Sequence, residues 1–103
     1  MKAYPEEFTF NYEYASELYG LGDYAGAYPY AVKAAEHAYG DNWLRAVRLK
    51  GALELGLGRR EDAAKTVDEA LAEIVPAKSP EVRTYRYVTA LRELSGKIAA
   101  GKD

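Results

Sequence analysis

The chain has 103 residues, 49% of them hydrophobic and 29% charged, which fits one small folded domain and argues against disorder. It has no cysteine, which excludes a disulfide framework and a cysteine metal site. No apolar run approaches the ~18 residues of a membrane span, and a net charge of −2 gives no general pull toward nucleic acid.

The first predicted helix opens at Pro5, Glu6 and Glu7, a proline and two acids that suit a first turn, and can end at Gly20 or Gly22. Inside it lies FTFNYEY, residues 8–14, where aromatic and polar residues alternate in the manner of a half-buried strand. Nothing else in the chain offers a partner strand, and a lone strand leaves its backbone unsatisfied. On a helix, Phe8, Tyr12, Ser16 and Tyr19 form one stripe and Phe10, Tyr14, Leu18 and Leu21 another, with Ala15 between them. Helix is therefore the expectation here.

Asp23 can cap a second helix reaching about Tyr39 and stopping at Gly40. Pro29, about six residues in, is expected to bend it. Asp41 or Asn42 can cap a third helix, which ends around Gly56 to Gly58. Glu61 and Asp62 suit the first turn of a fourth, ending before Pro76. Ser79, Pro80 and Glu81 combine a cap, a proline and an acid at the start of a fifth. Charge is uneven along this order. Residues 1–41 hold two cations against seven acids, and eight of the ten tyrosines lie in the first 39 residues.

The sequence also echoes itself. YGLG at 19–22 returns as LGLG at 55–58. Ala27 and Ala34 follow Gly22 by five and twelve residues, and Ala63 and Ala70 follow Gly58 by the same steps. Arg45, Arg48, Ala52, Leu53 and Gly58 recur as Arg83, Arg86, Ala90, Leu91 and Gly96, at an offset of 38 throughout. A period of 36 to 38 indicates stacked helical pairs. Small residues at the crossings let helix axes approach closely, while leucines and aromatics fill the flanks. An irregular five-helix bundle is the competing arrangement.

Ala15, then Gly22-Asp23-Tyr24, then Ala27 and Ala34 resembles the tetratricopeptide repeat, and Gly51, Gly58, Ala63, Ala70 and Leu71 resembles a second unit. The resemblance implies an all-α fold of five antiparallel helices, a short right-handed solenoid of about two and a half repeats. It implies one domain over residues 1–103, with repeats at about 6–40 and 42–76 and a terminal helix at about 80–97. Glu54 departs from the pattern, standing where the family has a large apolar residue.

In that register Phe10, Tyr14 and Leu18 lean toward the second helix as core. Tyr12, Ser16 and Tyr19 face a concave groove, joined by Arg45, Arg48 and Leu55 from the third helix and Arg83 and Arg86 from the fifth. Aromatic and arginine side chains are common anchors of binding surfaces, and arginine forks grip carboxylates. Ser16, Ala52 and Ala90 stand where members that clamp a peptide's terminal carboxylate carry asparagine, so a full clamp is not implied. The same arginines also suit pairing with Glu54, Glu81 or Glu93 on a solvated face.

Catalytic chemistry finds little purchase. His37 is the only histidine, too few nitrogen ligands for a metal site and without a nearby serine partner in sequence. Gly20-Leu21-Gly22-Asp23-Tyr24-Ala25 matches the dinucleotide fingerprint in spacing, but that motif follows a strand, and here a helix-to-helix turn explains it. The reading is a non-catalytic interaction module without cofactor or metal. Its expected partner is a protein or peptide, acidic where the arginines grip it, and neither nucleic acid nor membrane. Self-assembly as a homodimer or head-to-tail oligomer is the alternative, ahead of a small-ligand or enzymatic bundle. MKAYPEEF has no apolar secretory stretch, so a cytoplasmic location is expected.

Overall fold

A computed structural model describes the backbone at 4–36, 38, 40–74 and 82–100, and the side chains at 8–36, 38, 40–73 and 86–100. The chain forms five α-helices: α1 Tyr4–Gly20, α2 Tyr24–Glu36, α3 Gly40–Gly56, α4 Arg60–Ile74 and α5 Val82–Ala100. No strand occurs among the described residues. FTFNYEY lies within α1, and its alternation resolves into two pairs stacked four residues apart. Phe8 stacks on Tyr12 at 5.4 Å and Phe10 on Tyr14 at 5.7 Å.

The two turns that join α1 to α2 and α3 to α4 are the same object thirty-six residues apart. Asp23 N–H donates to the Leu18 carbonyl at 2.9 Å and Gly22 N–H to Tyr19 at 3.0 Å. Arg59 N–H donates to Glu54 at 2.8 Å and Gly58 N–H to Leu55 at 3.0 Å. This six-to-one and five-to-two pairing needs a left-handed residue after the helix, which Gly22 (φ 85°) and Gly58 (φ 82°) supply without a Cβ clash. Asp23 then caps α2, its Oδ1 accepting from Gly26 N–H at 3.0 Å.

Gly96 does not follow the pattern. It sits inside α5, which continues to Ala100, and no third turn forms there. Gly40, expected to stop α2, instead begins α3 with φ 66°, and α2 ends at Glu36. Pro29, expected to bend α2, lies inside it, and the helix continues to Glu36. Proline removes one hydrogen bond, to the Ala25 carbonyl, and both residues are exposed, so water can serve that carbonyl.

Sequential helices pack on one another, α3 also packs on α5, and α1 touches α3 lightly. One core cluster joins α1, α2 and α3 through Ala15, Ala27, Ala31, Leu49 and Leu53. Phe8, Ala34 and Ala46 extend it. A second joins α3, α4 and α5 through residues such as Leu44, Val47, Val67, Leu91 and Leu94. The alanines five and twelve residues after each turn glycine are all buried. Gly51 marks a close approach in the second cluster: a Cβ there would lie 2.9 Å from Val67 Cγ2 and 3.2 Å from Leu94 Cδ2. The offset of 38 is also visible in burial. Leu53 and Leu91 are fully buried, Ala52 and Ala90 half-buried, Arg48 and Arg86 exposed.

Candidate functional site

Burial around α3 leaves two narrow open arcs. Ala46, Leu49 and Leu53 face α1 and α2, while Leu44, Val47 and Gly51 face α4 and α5. One open arc carries Arg45, Arg48 and Ala52; the other carries Lys50.

On the first arc, the Arg45 guanidinium lies 4.7 Å above the Tyr12 ring, tying α3 to α1 by a cation–π contact. Its Nη1 donates to Asn42 Oδ1 at 3.1 Å. Tyr12 is half-buried, and Ser16 lies half-buried one turn further along α1. Arg48 points to solvent from α3, and Arg86 from α5. Tyr19 sits at the end of α1 against the Tyr24 ring, 5.3 Å away, with 38% of its surface exposed. Leu55 is half-buried against the α3–α4–α5 cluster. Arg83 belongs to α5, and its side chain, like all of His37, lies outside the described residues. The structure thus joins Tyr12 to Arg45 directly, while Tyr19 pairs within its own hairpin.

One stripe differs from expectation. Phe10, Tyr14 and Leu18 do lean toward α2, but Phe10 is 61% exposed and Tyr14 40%. They are not core. The buried side of α1 is Phe8, Asn11 and Ala15, because α3 approaches from the Tyr12 side and pulls that edge inward. Phe10 and Tyr14 meet Tyr30 edge-on at the outer margin, at 6.4 and 4.7 Å.

The second arc leads to a buried polar cluster. Glu54 is only 2% exposed, and its carboxylate collects three donors from three helices. Tyr28 Oη of α2 donates to Oε2 at 2.5 Å, and Thr66 Oγ1 of α4 to Oε1 at 2.7 Å. Lys50 Nζ of α3 pairs with Oε2 at 3.3 Å and donates to Thr66 Oγ1 at 3.2 Å. Among the described residues no buried side-chain polar atom lacks a partner. Burial first, then the hydrogen bond to Glu54, pushes the Tyr28 phenol up to about 12. Tyr28 therefore serves as a donor at neutral pH. Arg59 covers its ring at 5.3 Å. In the sequence Glu54 stands out in an apolar register, and Lys50 four residues before it, not singled out there, is the local signal that completes the pair; nothing points to Thr66 or Tyr28.

Lys50 and Thr66 also open onto a groove of about 410 Å³ between α2, α3 and α4. Trp43 and Val47 line it, with Glu36, Glu69 and Glu73 at its polar edges. Among the described residues no group of three or more histidine, cysteine or carboxylate side chains could hold a metal ion. No described helix is long and apolar enough to cross a membrane. No protein-family model, curated protein or solved structure matches this chain.

Proposed function

We propose that the chain is a tetratricopeptide-like helical solenoid whose α1–α3–α5 side binds a protein or peptide bearing acidic groups, without catalysis. The observation that carries this reading is Arg45 laid over Tyr12, with Arg48 exposed one turn away. A guanidinium fixed on an aromatic face has surrendered part of its freedom before any ligand arrives, which lowers the ordering cost of binding. Arg48 and Arg86 share a repeat position and an exposed state, and their helices pack together. Both offer forks suited to carboxylates. The repeated glycine turns support the repeat reading of the fold, since each closes one helical hairpin in the same way.

The test uses fluorescently labelled glutamate- and aspartate-rich peptides, each with a free and an amidated C-terminus, in an anisotropy titration. Binding that weakens with salt is expected. Arg48→Glu with Arg86→Glu should abolish it while circular dichroism stays helical. Equal binding by the double variant rejects this face. Equal affinity for free and amidated peptides would identify internal acidic side chains, rather than a terminal carboxylate, as the groups gripped.

A further inference from the structure

We propose that the outer face of the α1–α2 hairpin is a homodimer interface, closed by a second copy of this chain through Phe10, Tyr14 and Tyr30. The three rings form one patch. Phe10 stacks on Tyr14, and both meet Tyr30 edge-on. Phe10 is 61% exposed and Tyr14 40%, although the patch lies at the open end of the helical layer, away from α3. The end unit of a helical stack ordinarily presents a polar outer face, because no neighbour covers it. Here that end is aromatic, as expected of a surface that is covered in solution.

The occupant follows from what else the molecule exposes. Among the described residues the large exposed hydrophobics are Phe10, Tyr14, Tyr19 and Leu21, all on α1 or the turn after it. Among the described side chains, the exposed side of α5 carries Arg86, Arg92, Glu93, Gly96, Lys97 and alanines, with nothing large and apolar to receive the rings. A head-to-tail array would set aromatics on charge and small residues. The same face on a second copy supplies the apolar counterpart, which is the requirement of a closed two-fold contact.

Charge agrees with one orientation of that contact. Exposed Glu13 and Glu17 edge the patch on the α1 side, and exposed Lys33 edges it on the α2 side. None of the three makes an ion pair among the described residues. Contacts run in opposite order along the hairpin, Tyr19 with Tyr24, Tyr14 with Tyr30 and Phe8 with Ala34, so Lys33 stands level with Phe10, about one turn from Glu13. A two-fold axis along the helices lays α1 of each copy on α2 of the other. Each Glu13 then meets the other copy's Lys33, twice per dimer. A face of three rings and its margins sits at the small end of specific interfaces, so association is weak, with Kd of about micromolar order.

Sedimentation equilibrium of the whole chain, from low micromolar to near millimolar concentration, reads this directly. The wild type should pass from monomer to dimer and stop there. Phe10→Ser should weaken association at least about tenfold, the loss of one central aromatic anchor. Lys33→Glu should weaken it as well, and adding Glu13→Lys to Lys33→Glu should restore it, since the swapped pair is again complementary. Helix content by circular dichroism verifies that each variant folds. A wild-type monomer at every concentration, growth beyond the dimer, a Phe10→Ser variant that still dimerises equally, or a charge swap without rescue would each overturn the proposal. The patch lies across α1 from Tyr12 and Ser16, so Phe10→Ser should leave acidic-peptide binding intact, and the two surfaces can fail separately.

Discussion

Glu54→Leu is the sharpest test of how the three central helices are held together. The position is 2% exposed and flanked by apolar residues, so leucine suits its surroundings by the ordinary rules of cores. The cost lies in what leucine strands. Tyr28 Oη, Thr66 Oγ1 and Lys50 Nζ lose their shared acceptor. A buried donor left without a partner costs ~1–3 kcal/mol. Lys50 is 26% exposed along its side chain and can turn to water, and Tyr28 and Thr66 are only half-buried, so the lower part of that range applies to each. The total is about 3 kcal/mol, and burying the larger apolar side chain returns about 1 kcal/mol of it. A net loss of about 2 kcal/mol lowers Tm by roughly 8–16 °C for a domain of this size. Urea denaturation followed by circular dichroism measures it. Adding Tyr28→Phe and Thr66→Val removes the two stranded hydroxyls and should recover most of the loss. If Glu54→Leu alone matches or exceeds the wild type, or the triple variant is no better than the single, the carboxylate is not what holds these donors.

Stability should also fall in alkali through Tyr28. Its folded value, about 12, lies above the ordinary 10, so its contribution is complete below pH 10 and is lost as pH climbs from 10 toward 12. Two units unscreened correspond to about 2.7 kcal/mol; a half-buried phenol retains about 1 kcal/mol after solvent screening. The urea midpoint of Tyr28→Phe should therefore decline less between pH 9 and 11.5 than that of the wild type, a difference that cancels the other tyrosines. Gly51→Ala adds a methyl within 2.9 Å of Val67 and should destabilise by about 1–2 kcal/mol despite alanine's better helix propensity; a gain in Tm would show that α4 and α5 yield there. Asp23→Ala removes the cap on Gly26 and should cost about 1 kcal/mol, read as a shift in urea midpoint with an unchanged slope.

The helices and their turns were legible because each rests on local chemistry. Gly22 and Gly58 are the residues a left-handed helix terminus demands, and the alanines after them are what close helix crossings demand. The orientation of α1 was not legible. Both of its stripes are aromatic, so periodicity gives a helix with two equal candidates for the buried side. The choice depends on where α3 stands, which is a long-range fact. Gly96 repeats Gly58 in sequence but not in structure: a glycine ends a helix only where the following chain turns back, and α5 continues through it to Ala100. Glu54 registered as an anomaly, but its partners are 12 and 26 residues away in sequence and no local pattern connects them.

That anomaly bears on the arginine face. α3 is apolar around most of its girth, with leucine, valine or alanine toward both neighbouring clusters, and such a helix can settle in more than one rotation at similar energy. A rotation of about 100°, one residue's step, would carry Arg45 and Arg48 off their open arc. Glu54 opposes this because its three donors come from α2, α3 and α4, and only one setting of α3 meets both Tyr28 and Thr66. The carboxylate then contributes orientation more than stability, a role buried polar groups fill in some proteins. The triple variant Glu54→Leu, Tyr28→Phe, Thr66→Val separates the two contributions. Its Tm should lie near the wild type's, while its amide NMR spectrum should show doubled or broadened peaks along α3 and its affinity for acidic peptides should fall several-fold, although no arginine has changed. A single sharp set of α3 resonances with undiminished affinity would mean that apolar packing alone sets the rotation of the helix.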